Sequence, residues 1–147
     1  MECDLKMKRQ SKSVIRDKYW LTPPALYAKL DSIHHFDFDP CPCPRPEGYD
    51  SLTIPWGQRN YVNPPFHRDD GVNGKGPTAF VHKAIAESKL GKTTVLTLPA
   101  QLYITLLLEA GAELSSLGRV KWIHAETGKP CKSPSPIICA TLRGVNG

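Results

Sequence analysis

The four residues Asn63-Pro64-Pro65-Phe66 are the segment of this sequence best suited to chemistry. An exocyclic amine such as adenine N6 is a poor nucleophile because its lone pair is delocalised into the ring. An asparagine side-chain oxygen and the carbonyl of the following proline can each accept one N6 hydrogen, which frees that lone pair. Phe66 can stack on a base that has left the double helix. The segment therefore predicts methyl transfer to an exocyclic amine without a charged general base.

The same four residues also suit a purely structural turn. Asparagine and two prolines end strand pairing, and Phe66 would then enter the core. The position of the segment favours the chemical interpretation, because a short strand is predicted over residues 59–62 directly before it. Open α/β sheets place their ligand crevice just beyond the carboxyl ends of such strands.

The elements predicted around this segment alternate between strands and helices. This alternation indicates a mostly parallel α/β sheet with helices on its faces, and the last two strands would form a hairpin that adds an antiparallel edge. The short spacing between residues 39 and 59 limits the sheet to about five strands. The predicted helices cover residues 22–30, with Thr22 as the cap, 78–90 and 101–110, and the predicted strands cover 35–39, 59–62, 93–98, 112–123 and 136–142.

The length of 147 residues predicts a basic arm over residues 1–18 followed by one domain over 19–147. A hydrophobic content of 40% and a charged content of 22% are ordinary for a globular protein and exclude disorder for most of the chain. The longest apolar run, residues 106–108, is far too short to cross a bilayer. No signal peptide is evident at the first residues, and we expect a cytoplasmic protein with no membrane contact.

Positive charge is concentrated in two stretches of the chain, and the net charge is +5. Residues 119–132 hold four basic groups and a single glutamate, and the arm holds six basic groups against three acidic ones. Clustered basic charge releases counterions from a phosphate backbone, which favours nucleic acid as the partner, although a solvated tail would look similar. The candidate phosphate contacts are Lys8, Arg9, Lys12, Arg16, His67 and Arg68.

The five cysteines do not have the spacing of a usual metal site. The closest pair is Cys41-Pro-Cys43, and no Cys-x-x-Cys pair occurs. Zinc sites commonly use two such pairs or a pair with nearby histidines. We therefore expect no bound metal and reduced thiols.

Six short segments, taken in order, resemble one known family. They are Tyr-Trp-Leu-Thr-Pro-Pro at 19–24, Phe-Asp-Phe-Asp-Pro-Cys at 36–41, Asp-Ser-Leu at 50–52 with Trp-Gly at 56–57, Tyr-Val-Asn-Pro-Pro-Phe at 61–66, Leu-Thr-Leu-Pro-Ala at 96–100, and Gly-Arg-Val-Lys-Trp at 118–122 with Pro-Ser-Pro at 134–136. Over residues 19–143 the chain is thus similar to the phage-type, Dam-like N6-adenine DNA methyltransferases, which use S-adenosylmethionine.

This resemblance implies a reduced Rossmann-like, class I methyltransferase sheet, an S-adenosylmethionine cofactor and DNA as the substrate. It implies that residues 63–66 are catalytic. A Gly-x-Gly turn common after the first strand is replaced here by Cys-Pro-Cys-Pro-Arg-Pro at 41–46, so we expect residues near the start of the domain to compensate. The implied cofactor contacts are Trp20, Thr22, Pro23, Asp39, Pro40 and Asp50.

Two of these cofactor assignments also depend on the local pattern. Asp37 and Asp39 lie two residues apart on a predicted strand, and Pro40 directly after Asp39 favours Asp39 as the ligand contact. Asp50 could bind a ribose, or it could cap its own loop. Trp20 would place an aromatic face near the positive sulfonium.

Other functions remain compatible with the sequence. The same Asn-Pro-Pro chemistry acts equally well on cytosine N4, on RNA adenine or on a protein glutamine amide, of which the last fits the basic charge worst. A catalytically idle nucleic-acid-binding module, with zinc at Cys41 and Cys43, is the alternative from a different class.

Overall fold

The computed structural model describes residues 20–43, 45–65, 76–99 and 103–145, and these form two β-sheets with three α-helices. The helices are α1 (Pro24–His34), α2 (Pro77–Ser88) and α3 (Ile104–Glu109), and a short 3-10 helix covers Ser51–Thr53. The strands are β1 (Trp20–Leu21), β2 (Arg59–Val62), β3 (Thr93–Pro99), β4 (Glu113–Gly118), β5 (Lys121–His124), β6 (Pro130–Lys132) and β7 (Ile137–Leu142). None of the helices in these residues is long and apolar enough to cross a membrane.

The larger sheet has four strands in the order β2-β3-β7-β4. Strands β2 and β3 run parallel, whereas β7 is antiparallel to both of its neighbours. Side chains alternate between the two faces, so Val62 and Leu96 join one core cluster while Tyr61 and Val95 join another. Both faces of this sheet are therefore covered by apolar contacts.

Helices supply the partners on each face of the larger sheet. Leu30 of α1 packs against the face that carries Tyr61 and Val95. Phe80 and Val81 of α2 and Leu107 of α3 pack against the opposite face. Burial of each such side chain contributes about 1.5 to 3 kcal/mol, and this burial is what holds the helices on the sheet.

The smaller sheet is antiparallel, with the order β1-β5-β6. Its buried face carries Trp20 and Trp122, which pack with Val120 and with Ile137 from the start of β7. Because Ile137 belongs to the larger sheet, this cluster attaches the smaller sheet to the larger one.

The expectation of a reduced Rossmann-like, mostly parallel sheet of about five strands is wrong. Seven strands are present in the described residues, they divide between two sheets, and only β2 and β3 form a parallel strand pair. The physical reason lies in β7, which inserts between β3 and β4 and pairs antiparallel with both. The antiparallel part is therefore central to the sheet and is not an added edge.

A second cause is the division of the strand predicted over residues 112–123. Gly118 has a φ of 64°, a left-handed conformation that glycine adopts without strain, and it follows an irregularity in the pairing at Ser116. The chain turns there, so that β4 stays in the larger sheet and β5 joins the smaller one.

The strand predicted over residues 35–39 is reduced to one parallel bridge, between Phe38 and Asn60. The segment still lies beside β2, because the Asp37 amide donates to the Arg59 carbonyl at 2.8 Å and the Tyr61 amide donates to the Phe38 carbonyl at 3.1 Å. The Asp37 side chain accepts from the Arg59 amide at 3.0 Å, so a carboxylate takes a donor that a regular ladder would use.

Several elements were predicted well because their own sequence determines them. Residues 59–62 coincide with β2, 93–98 with most of β3, 136–142 with β7 and 78–90 with α2. Of the helix predicted over residues 101–110, the described part contains α3.

A buried carboxylate fastens the loop before β2 to the end of α2. Glu87 accepts from the Lys83 ammonium at 2.9 Å, from the Lys92 ammonium at 3.1 Å and from the Trp56 amide at 3.0 Å. Burial opposes its ionisation, but the hydrogen bonds from Lys83, the Trp56 amide and Lys92 outweigh that effect and hold the pKa of Glu87 below its usual value. Lys92 also donates to the Trp56 carbonyl at 2.8 Å.

We expect Glu87→Gln to lower the free energy of unfolding by about 3 kcal/mol, because two lysines would lose their shared buried partner. Urea unfolding measures this change. Glu113→Gln is the matched control, since it breaks an exposed pair with Arg143 and should have little effect. Equal losses in the two variants would contradict the structural role assigned to Glu87.

Candidate functional site

Strand β2 carries Asn63 to the junction between the two sheets. Asn63 follows the last residue of β2 and is only 6% exposed. Its amide nitrogen Nδ2 donates to the backbone carbonyl of Trp20 in β1 at 2.8 Å. An amide nitrogen can only donate, so the hydrogen-bond acceptor of this side chain is the oxygen Oδ1, which is itself buried.

Asn63 forms part of the wall of an open cleft with a volume of about 380 Å³. This volume falls within the range of roughly 300 to 1,000 Å³ that is common for small-molecule sites. The cleft lies between the start of α1, the segment after Phe38 and the end of β2. Its lining residues are Leu21, Thr22, Pro24, Tyr27, Asp39, Cys41, Cys43, Tyr61 and Asn63.

Thr22 contributes to the cleft through a hydrogen bond to Tyr61 and does not cap α1 as predicted. The two hydroxyl oxygens lie 2.6 Å apart, and no side-chain hydrogen bond caps the helix, whose cap position is Pro23. The Tyr61 hydroxyl also lies 3.3 Å from the Thr97 hydroxyl oxygen. Burial raises the pKa of Tyr61 to about 12, so this residue is a neutral hydroxyl at physiological pH.

Asp39 supplies a carboxylate to the same cleft. Its Oδ1 accepts from the Cys41 amide at 2.8 Å, which fixes the side chain in a tight local turn. Desolvation by the surrounding protein raises the pKa of Asp39 from 3.8 to about 6, despite an opposing effect from the Cys41 amide. The Asp39 side chain is nevertheless exposed to solvent, which limits the penalty for its ionisation. A positively charged ligand group would favour its ionised form.

Asp37 has a different environment from Asp39. Both residues are exposed, but the Asp37 side chain accepts from the Arg59 amide at 3.0 Å and does not contribute to the cleft wall. Of this pair, Asp39 is therefore the carboxylate that lines the cleft.

The structure places Trp20 and Pro23 beside the cleft but not in its wall. The Trp20 indole is 6% exposed, packs against Trp122 and lies edge-on to His124 at a centroid distance of 5.0 Å. The contribution of Trp20 to the site is therefore its backbone carbonyl, which orients Asn63. Tyr27 and Tyr61 are the aromatic residues that line the cleft.

Pro40 and Asp50 lie at a second, much smaller cavity of about 20 Å³, which adjoins the cleft through the shared residue Cys41. The Asp50 carboxylate accepts from the Leu52 amide at 3.0 Å and so caps the 3-10 helix that starts at Ser51. Of the two roles considered for Asp50, loop capping is the one present in the structure.

The segment 63–66, which the sequence predicts to be catalytic, is described only in part. Pro64 and Pro65 are both buried, and Pro65 contacts the smaller cavity together with Phe80. The predicted stacking residue Phe66 lies outside the described residues, as do the candidate phosphate contacts Lys8, Arg9, Lys12, Arg16, His67 and Arg68.

Sequence reasoning did not assign Tyr27 and Tyr61 to the site. Tyr61 could have been found from its spacing, since residues two apart on a strand point to the same face and Asn63 follows at that distance. Tyr27 lies one helical turn after Pro23, so a helix starting there places it beside Thr22. Its amide donates to the Pro23 carbonyl at 3.0 Å.

Cys41 and Cys43 form no disulfide bond, and both line the cleft. Burial, with a contribution from the negative charge of Asp39, raises the pKa of Cys43. In the part of the chain that the structure describes, no group of three or more His, Cys, Asp or Glu side chains could hold a metal ion. Cys131 is disulfide-bonded, so the expectation that the thiols are all reduced is wrong.

Comparison with known proteins yields no relative. No protein-family model, curated protein or solved structure matches the chain. A function for this chain therefore has to be inferred from the residues and geometry of the cleft.

The raised pKa of Asp39 predicts a specific pH dependence of stability. An acid whose pKa is about 6 when folded and 3.8 when unfolded stabilises the fold below pH 3.8 and loses that contribution as pH rises through about 6. Asp39→Asn cannot ionise, so the variant does not lose this stability as the pH rises. It also keeps the side-chain oxygen that accepts from the Cys41 amide. Its melting temperature relative to the unmodified protein should therefore rise between about pH 4 and pH 6 and level off above.

Thermal melts across this pH range measure the effect. Asp39→Ala should follow the same pH course if the carboxyl group is responsible. A difference between variant and unmodified protein that does not change with pH would contradict the assigned environment of Asp39.

Proposed function

We propose that this chain is an S-adenosylmethionine-dependent methyltransferase that acts on adenine N6 in DNA. One observation carries the proposal: the Asn-Pro-Pro segment follows β2 at the wall of a cleft, where Asn63 donates to the Trp20 carbonyl and Asp39 supplies a carboxylate. The proposal does not depend on a Rossmann-like sheet.

The residues of the cleft fit the cofactor in charge, volume and surface character. Asp39 would hold the ammonium group of the methionine end, and Tyr27 would offer an aromatic ring to a positive centre. The volume of about 380 Å³ suits a ligand of this size. When bound, the cofactor supplies a methyl group activated by a neighbouring positive sulfur.

Asn63 would act on the amine that receives the methyl group. Its Oδ1 accepts one N6 hydrogen and the Pro64 carbonyl accepts the other, so the nitrogen becomes pyramidal and its lone pair becomes available. The hydrogen bond to Trp20 fixes the amide beforehand, so no reorientation is needed during the reaction. A proton leaves easily once the nitrogen is methylated, and a charged general base is not required.

The adenine must leave the duplex to reach this cleft, as it does in enzymes that modify bases. Cytosine N4 and RNA adenine have the same kind of amine, so the acceptor pair alone does not distinguish them. The direct test is to incubate the protein with methyl-labelled cofactor and DNA, digest the DNA and identify the labelled nucleoside. N6-methyladenine supports the proposal, and label only in cytosine or only in RNA overturns the choice of substrate.

We expect Asn63→Ala to reduce turnover by a factor of about 100 or more, because the lost interaction strengthens as the amine becomes pyramidal. The affinity for S-adenosylhomocysteine, measured by calorimetry, should stay within about threefold of that of the unmodified protein. An interaction made only in the transition state does not contribute to binding in the ground state. Asp37→Asn is the control, because it changes a nearby carboxylate outside the cleft wall and keeps the oxygen that accepts from Arg59.

Near-normal turnover in Asn63→Ala would contradict the role of this residue. Loss of cofactor binding together with a lower melting temperature would instead show that Asn63 mainly joins the two sheets.

A further inference from the structure

The exposed face of the smaller sheet carries a pair of lysines directly opposite one another. Lys121 of β5 and Lys132 of β6 are cross-strand partners, and both side chains are exposed. Opposed residues in antiparallel strands have their Cβ atoms about 4.5 to 5.5 Å apart, and like charges at that distance repel. An anion bound between them would relieve this repulsion.

This sheet has two distinct faces. Trp20, Trp122 and His124 share the buried face, so their neighbours along each strand point to solvent. Lys121 and Lys132 therefore share the outer face with Ile123, which pairs with Leu21.

Further positive charge lies at the ends of the same hairpin. Arg119 precedes β5 and Lys129 precedes β6, and both are exposed. Residues 119–132 contain Glu126 as their single carboxylate. The ion pairs found within the described residues involve Lys83, Lys92 and Arg143, and none includes a cation of this hairpin.

The lysine face is continuous with the cleft. Leu21 lies on this face through its pairing with Ile123, and it also lines the cleft beside Asn63. Lys121 precedes Ile123 by two residues, which is about 7 Å along a strand. Since bases along one DNA strand are about 3.4 Å apart, this step corresponds to about two nucleotides.

We propose that the outer face of the β5–β6 hairpin binds the DNA phosphate backbone beside the nucleotide that enters the cleft. The inference rests on the proposed function for its choice of DNA. Lys121 and Lys132 would share one phosphate, and Arg119 and Lys129 would contact phosphates at the two ends of the hairpin. These contacts set the position of the DNA strand and carry no sequence information.

The test compares two double variants that remove the same charge. Lys121→Gln with Lys132→Gln changes the proposed surface, and Lys29→Gln with Lys89→Gln changes two exposed lysines on α1 and after α2. Binding to a short labelled duplex is measured by fluorescence anisotropy between about 50 and 200 mM salt. Loss of the one phosphate contact that the two lysines share should reduce the logarithmic salt slope by about 0.9, and affinity should fall about tenfold.

The inference is supported if the hairpin variant shows these changes and the control variant keeps the original slope. It is overturned if the hairpin variant keeps the slope, if the control loses as much, or if RNA of the same sequence binds the unmodified protein more tightly. Methyl transfer is measured on the same samples. A slope change without any methylated adenine would refute the proposed function and leave the DNA surface in place.

Discussion

Two hydrogen bonds between β1 and the end of β2 hold the sheets together where the cleft opens. Asn63 donates to the Trp20 carbonyl at 2.8 Å, and the hydroxyls of Thr22 and Tyr61 lie 2.6 Å apart. Each bond contributes only about 1 kcal/mol net, but a buried donor without its partner would cost more. They therefore fix the direction of the Asn63 amide while the packing of both sheets supplies most of the stability.

The sequence was sufficient for single elements and insufficient for their assembly. The apolar run of β3 and the amphipathic pattern of α2 determine their own conformations, so both were predicted close to their observed bounds. The local sequence pattern did not determine which strands pair, because β7 can pair parallel or antiparallel with a neighbouring strand using the same buried residues. Its insertion between β3 and β4, and the turn at Gly118, depend on contacts that a local pattern does not contain.

The residues of the candidate site were likewise predicted only in part. Asn63, Thr22 and Asp39 were predicted together and do line one cleft. The Trp20 indole was expected to line the cleft, but it is buried in a cluster with Val120, Trp122 and Ile137. The part of Trp20 that contacts Asn63 is its backbone carbonyl. Tyr61 was missed because a buried tyrosine in a strand usually serves the core, and here its hydroxyl also meets Thr22. Backbone contributions and shared hydroxyls are features that residue types alone do not reveal.

The central claim is that the cleft beside Asn63 binds the cofactor. The most direct measurement is a titration of the ¹⁵N-labelled protein with S-adenosylhomocysteine, followed through the backbone amide resonances. If the cofactor binds in the cleft, saturable shifts should cluster at four of its lining residues, Thr22, Asp39, Cys41 and Asn63. An absence of shifts at millimolar ligand, or shifts confined to the outer face of the β5–β6 hairpin, would contradict this claim.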